Sequence, residues 1–578
     1  MELTDYIILI LYAAGILLIG GILSKRNKTS DDMFAVRKQS PWWLSGLSAF
    51  MSAFSAGTFV VWGGIAYKQG LVAVSILMCS GIASFLVGKF FAKKWASLNI
   101  STVGEYVSIR FGQGAVQFYT WVGMLFKIIA MGVALYSFAV VVSSLIPLSA
   151  DNWLADPVTH KLSIPYTIII SGFLMLMYAV SGGLWAVLII DAVQFVVLTM
   201  TVLFVVPLSI QKVGGVTSLI DHLPETFLSP VSGNFTWLFL IGWVIVHTFK
   251  LGGEWVFVQR FLAVSSPENA RKSSNLFGWL YIISPIIWML PPIIYRVSHP
   301  DAAPEQAYIL ACAWVLPPGL MGLLVAAMFS SAASYIDGEI NVYAAAITNS
   351  VYKDIIAPNA SEKSVVFVGR LSSLVIGLLI MAIAVCVPYF GGAEQIILTV
   401  TGLLVVAMVL PMLWGLYFGK IKQSSIWWST GITVMVSLFL KMAISIKSDN
   451  FIMSLYYANS QLFEVAVGVF VPLIVLAVME FGSKTVDPGF KEIQEKLNSK
   501  QAISNSEEDH QLAIFPARLL GFSIGVLAVI MFGLMLFTTD SSRTLIGVFS
   551  AVLFILSTII LLSLKVKKSK KIISTNSI

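Results

Sequence analysis

The chain has 578 residues, 58% of them hydrophobic and 11% charged, with a formal net charge of +7. A soluble globular chain carries roughly a quarter charged residues, so this composition excludes a soluble enzyme and points to a polytopic membrane protein. No basic, aromatic-interleaved soluble domain accompanies the positive balance, which is therefore a topology signal and not a nucleic-acid footprint.

A spanning helix needs about 20 mostly apolar residues, because hydrocarbon offers no partners to backbone amides and carbonyls. Fifteen such stretches follow one another at 6–23, 43–66, 70–92, 115–146, 164–181, 184–209, 235–258, 275–297, 306–348, 365–388, 393–419, 425–446, 462–481, 517–538 and 544–564. The ninth is too long for one crossing, so its polar end is expected to project into the cytosol or line a water-filled cavity. Nothing has the short alternating strands of a membrane barrel, and the expected fold is an all-α bundle.

The first stretch is preceded by MELTD and followed by SKRNK, the reverse of a signal peptide's basic start, and is expected to be retained. Cytoplasmic loops collect Lys and Arg. With the N-terminus outside, most basic residues fall inside, among them Lys25, Arg26, Lys28, Lys93, Lys94, Arg271, Lys272 and the terminal Lys565, Lys567, Lys568, Lys570 and Lys571. The outer loops then hold Lys68, Lys161, Lys212, Arg296, Lys447 and Arg543. The expected topology is N-terminus outside and C-terminus cytoplasmic, which also places the NFT sequon at 234–236 outside. The largest cytosolic insertion, 482–516, has room for a short surface helix but not for a catalytic domain. Cys79, Cys312 and Cys386 lie within apolar stretches and leave neither a disulfide framework nor a metal-ligand cluster.

The second stretch (LSAFMSAFSAGTFVVWGGIAY) and the seventh (IGWVIVHTFKLGGEWVFVQ) gather small residues near their middles. Small residues let helices pack closely, which suffices for one such stretch. Two at corresponding positions point to an inverted-repeat transporter, in which unwound backbone near the midplane supplies carbonyls to ions. Stretches two to six and seven to eleven would be the repeats, about 43–209 and 235–419.

Within AAMFSSAASYIDGEIN (326–341), Ala327, Ser330, Ser331 and Ser334 stand at i, i+3, i+4 and i+7 and share one helix face, extended by Gly338 and Asn341. Such hydroxyls and a carbonyl offer a small alkali cation part of its oxygen shell, and a broken second stretch would offer the rest. Serines at this spacing serve packing or back-bonding equally well. Asp191 lies about seven residues into an apolar stretch, where a carboxylate is costly and marks an ion path or a paired site; hydrogen bonding to nearby serines or backbone is the alternative. Lys127 and Lys250 also lie inside apolar stretches. His247 reads as a satisfied hydrogen-bonding residue. No convergent nucleophile, base or metal ligands suggest an enzyme.

FAVRKQSPWWLSGLSAFMSAFSAGTF, YAVSGGLWAVLIIDAVQF, VQRFLAVSSPENARKS and AAMFSSAASYIDGEIN together resemble the sodium/solute symporter family, which includes sodium/glucose, sodium/proline and sialic acid transporters. The likeness runs from about residue 1 to 480. It implies a five-plus-five inverted-repeat (amino acid/sodium symporter-like) bundle over 1–481, then the 482–516 loop and two additional helices with a basic tail over 517–578. The implied partners are a sodium ion, a small polar solute and the bilayer, with no cofactor beyond sodium as coupling ion. The implied sodium site is the carbonyls of Met51, Phe54 and Ala327 with the hydroxyls of Ser330 and Ser331. A second ion site in some relatives matches Asp191 and Ser334, but Ala333 departs from that pattern.

Positions that hold sugar hydroxyls in galactose-carrying relatives fall on Thr58, Leu77, Tyr281 and Leu398, with Ser80 nearby. The two leucines argue against the same sugar in the same pose, since a site built for hydroxyls discriminates through its polar groups. A sialic-acid-type relative places a cation at a position matching Ala130, about one turn from Lys127. Lys127, with Lys250, is therefore expected to hold the carboxylate of an acidic sugar or organic anion. The alternatives are a snorkelling Lys127 and a Lys250–Glu254 pair at i, i+4. The expected function is sodium-coupled import of a sugar, acidic sugar or organic anion across the plasma (inner) membrane by alternating access. The alternatives are a solute sensor on the same scaffold and proton coupling through Asp191.

Overall fold

The computed structural model describes residues 1–24, 38–179, 184–445, 459–498, 506–536, 538 and 540–575. Lys25, Arg26, Lys28 and Lys447, the start of FAVRKQS, residues 180–183 of the YAVSGG stretch and 499–505 of the 482–516 insertion lie outside them. Among the described residues, ten helices are long and apolar enough to cross a membrane, and four shorter apolar ones begin at Leu3, Ile164, Trp237 and Ser424. With the interrupted second stretch, these account for all fifteen apolar stretches, and together they define an integral membrane protein.

Helix α1 (Leu3–Ser24) is followed by α2 (Trp42–Ser52), which stops in mid-stretch. Helical structure resumes as a wide turn over Thr58–Trp62 and α3 (Gly63–Gln69). Helices α4 (Val72–Val87), α5 (Met124–Leu145) and α6 (Leu184–Lys212) follow. The seventh stretch is also broken: α7 (Trp237–Gly253) ends on a glycine pair, Glu254 is extended (φ −64°, ψ 133°), and α8 (Trp255–Leu262) continues. Both breaks fall where the clustering of small residues predicts. The freed Gly252 carbonyl accepts the Trp95 indole N–H at 2.8 Å.

After α9 (Pro267–Trp288), the ninth stretch departs from expectation. It is two helices, α10 (Pro304–Val315) and α11 (Leu320–Ala346), with a wide helical turn over Ile347–Ile356. Pro317 and Pro318 cannot continue a helix, and Gly319 turns the chain at φ +95°. The excess length is thus partly a second helix, and the polar end of α11 lines a cavity through Tyr335, Glu339 and Tyr343, the second of the two expected outcomes. The α11 N-terminus is capped from α1: Asp5 accepts the N–H of Gly319 at 2.6 Å and of Gly322 at 2.8 Å, which explains a carboxylate only 2% exposed.

Lipid tails are as apolar as leucine, so helix association rests on close packing and interhelical hydrogen bonds. Where α4 crosses α9, a Cβ on Gly81 would lie 2.8 Å from the Gly278 carbonyl, so only glycine permits this approach. Beside it, the Ser84 hydroxyl donates to the Ser274 carbonyl at 2.8 Å. In the 482–516 insertion, α12 (Pro488–Asn498) docks through the fully buried Ile493, and the preceding Asp487 pairs with Arg110 at 3.2 Å. The last helices, α13 (Ser506–Met535) and α14 (Asp540–Thr575), are joined by Ser550 to the Ala528 carbonyl and Ser557 to that of Gly521. Phe549 of α14 meets Phe204 of α6 edge-on, docking this hairpin on the core.

Candidate ion and solute site

At the α2 break the backbone turns on short-range bonds, Phe54 N–H to the Met51 carbonyl at 3.0 Å and Thr58 N–H to that of Ser55 at 2.9 Å. The carbonyls of Ala53 and Phe54 are taken by side chains instead. Tyr281 of α9 donates to Ala53 at 3.2 Å, and Ser331 of α11 donates to Phe54 at 2.8 Å. Ser330, beside Ser331, accepts a hydrogen bond from the Gln194 amide of α6. Met51, Phe54, Ala327, Ser330 and Ser331 are all at most 2% exposed, on two elements in direct contact. These oxygens can serve a small cation. Around them Phe54 packs edge-on against Trp288, with ring centroids 4.2 Å apart, and excludes bulk water.

Asp191 lies on the same α6 face as Gln194, three residues earlier. Its two oxygens accept Ser48 of α2 and Ser334 of α11, each at 2.6 Å. Arg260 of α8 donates to Ser52 at 3.0 Å and reaches Ser48 at 3.4 Å. The serine partners weighed for Asp191 are therefore present, and four helices meet at this carboxylate.

Thr58, Ser80, Lys127, Lys250 and Tyr281 line one cavity of about 170 Å³, together with Leu77, Ala130 and His247. Thr58 accepts the Ser55 N–H at 3.2 Å. Leu398 is buried beside the cavity without lining it; its neighbour Ile397 does. Lys127 does not snorkel. Its ammonium holds Glu339 of α11 at 2.6 Å and Glu254 at 3.0 Å, both carboxylates being almost wholly buried. The expected i, i+4 pair between Lys250 and Glu254 does not form, because the helix ends between them and the extended Glu254 turns to Lys127.

Sequence reasoning singled out neither Glu339 and Glu254 as partners of Lys127 nor Gln194 and Arg260. Gln194 was detectable as the residue three beyond Asp191 on one face. The remaining pairings join positions far apart in the chain and leave no local pattern.

A helical bundle with two spans broken at matching positions, around buried oxygens and a polar cavity, is built as a membrane transporter. The sodium:solute symporter family matches residues 34–432, and the chain belongs to that family. It is 26% identical over 488 residues to a sodium/glucose cotransporter of Vibrio parahaemolyticus, covering 76% of this chain and 86% of that protein. It is 24% identical over 402 residues to the sodium/sialic acid symporter NanT of Aliivibrio fischeri, covering 65% of this chain and 75% of that protein. The solved substrate-bound outward-open state of a Na+-coupled sialic acid symporter superposes with a TM-score of 0.67 at 21% identity, over 84% of this chain and 99% of that one. The fold is accordingly the five-plus-five inverted-repeat bundle, and the protein is not an enzyme.

Proposed function

We propose that this protein is a sodium-coupled secondary active symporter that imports a small polar solute, a sugar, acidic sugar or organic anion, by alternating access. The observation that carries this reading is the Ser331 hydroxyl on the freed Phe54 carbonyl, with Ser330 adjacent: hydroxyls of α11 meet unwound backbone of α2. Sodium takes the carbonyls of Met51, Phe54 and Ala327 and the hydroxyls of Ser330 and Ser331, replacing the hydrogen bond that now joins the two elements. It thereby ties α2 to α11 beside the solute cavity, and the α2 break touches both: Phe54 faces the ion, while Ala53 and Thr58 line the cavity. Ion and solute binding then strengthen each other reciprocally.

Asp191 and Ser334 bind each other, and with Ser48 they satisfy both carboxylate oxygens next to Arg260. We assign them to anchoring α2, α6, α8 and α11 rather than to a second ion. The transport core is 1–481, set in the plasma membrane with the N-terminus outside and the basic C-terminal tail in the cytoplasm. Uptake by proteoliposomes from a mixture of neutral sugars, sugar acids, amino acids and carboxylates tests the proposal. One solute should accumulate above its external concentration under an inward sodium gradient and only equilibrate, or stay out, under potassium. Accumulation of the same solute in potassium would overturn it.

A further inference from the structure

We propose that the solute is a hydroxy carboxylate of the sugar-acid type, and that Lys250 is the residue that selects its carboxylate. The inference rests on the cavity being the solute site of a symporter.

Among the described residues four charged side chains line the cavity: Lys127, Lys250, Glu254 and Glu339. Lys127 holds both carboxylates, at 3.0 and 2.6 Å. Among the described residues Lys250 makes no ion pair within 4 Å and no hydrogen bond. The two lysines and two glutamates balance in total charge, but balance at a distance does not satisfy an ammonium's three donors. The half-buried Lys250 ammonium keeps accessible surface in the cavity, where water can serve its donors, and a solute that displaces this water without supplying an acceptor leaves a charged group's hydrogen bonds unmade, which is costly. The occupant that removes this cost is an acceptor, and a charge-assisted bond to a carboxylate is roughly twice as strong as one to a neutral oxygen. Lys127 does not play that part, because its ammonium already holds the two carboxylates of Glu254 and Glu339.

His247 precedes Lys250 by three residues, so both share one face of α7 and both line the cavity. Its Nδ1 lies 3.1 Å from the Trp243 carbonyl. A carbonyl only accepts, so Nδ1 carries the proton, and the neutral ring offers Nε2 as an acceptor. That nitrogen suits a hydroxyl and repels a carboxylate. Side by side, Lys250 takes the anionic group and His247 takes a hydroxyl near it.

The test measures binding of D-galacturonate against D-galactose, and of D-gluconate against D-glucitol, by calorimetry on the purified full chain in sodium. The wild type should bind a sugar acid about tenfold to 100-fold tighter than its neutral counterpart. Lys250→Met should abolish that preference and Lys250→Arg should largely keep it, with both variants still more thermally stable in sodium than in potassium. Equal binding of acid and neutral counterpart, an unchanged preference in Lys250→Met, or failure of both acids to bind a sodium-stabilised wild type would each overturn the proposal and leave the symporter reading intact. A wild type that sodium does not stabilise would instead overturn the symporter reading.

Discussion

Lys127→Met removes the ammonium that links α5, the α7 break and α11. In the native protein Glu254 and Glu339 keep only 5% and 1% of their side-chain surface exposed, and Lys127 16%. Without the lysine, two buried carboxylates face each other with no hydrogen-bonded cation. Breaking a buried pair from one side costs about 3–5 kcal/mol, most of it the uncompensated charge left behind. An unfolding entropy of roughly 2 cal/mol/K per residue amounts to about 1.2 kcal/mol/K over a chain this long, so the melting temperature should fall by about 3–4 °C if the chain unfolds as one unit. Scanning fluorimetry in detergent measures this directly. The triple variant K127M/E254Q/E339Q, which removes the charges together, should recover much of the loss. A Lys127→Met protein within 1 °C of wild type, resolved to about a tenth of the shift expected here, would refute the reasoning, as would a triple variant no more stable than the single one.

Asp5→Ala takes the cap from the α11 N-terminus and should cost about 1–2 kcal/mol in thermal unfolding, with Asp5→Asn costing less. Asp191→Asn should destabilise in sodium and potassium alike, by about 1–3 kcal/mol, because an amide keeps only one acceptor oxygen for the hydroxyls of Ser48 and Ser334 and leaves a buried hydrogen bond unmade; a loss confined to sodium would make Asp191 an ion ligand instead of an anchor. Gly81→Val should sharply lower the yield of folded protein, since the Gly278 carbonyl occupies the space its side chain needs, whereas Gly15→Ala in α1, whose Cβ would meet nothing within 4 Å, should be neutral by the same measure.

The architecture is legible in the sequence wherever its cause is local. Apolar runs of membrane length mark the helices, and GlyGlyGlu after α7 and SerAlaGly after α2 mark the two breaks, because small residues allow the backbone to leave the helix and be approached. Ser330, Ser331 and Ser334 are legible as one face from their spacing alone. The ProProGly between α10 and α11 carries the same kind of signal, which explains why 306–348 is too long for one crossing. The charge partners are another matter. Lys127 and Glu339 are 212 residues apart, and nothing in either neighbourhood specifies that the tertiary fold brings them together. Lys250 shows the converse: its spacing from Glu254 predicts a helical pair, but the same glycines that create the break end the helix first and send Glu254 to Lys127. A local rule fails there because the interruption of the helix overrides it, and Lys250 is left without an ion pair.

The symporter reading is tested most directly by the melting temperature of the purified protein in sodium against potassium at equal ionic strength, for wild type and for S330A/S331A. A ligand that binds only the folded state stabilises by mass action, about 2.7 kcal/mol when present at roughly 100 times its dissociation constant. The wild type should melt higher in sodium, and S330A/S331A should melt at the same temperature in both salts. A wild type indifferent to the cation, or a double variant that keeps the full sodium effect, would contradict the assignment of the ion to the junction of α2 and α11.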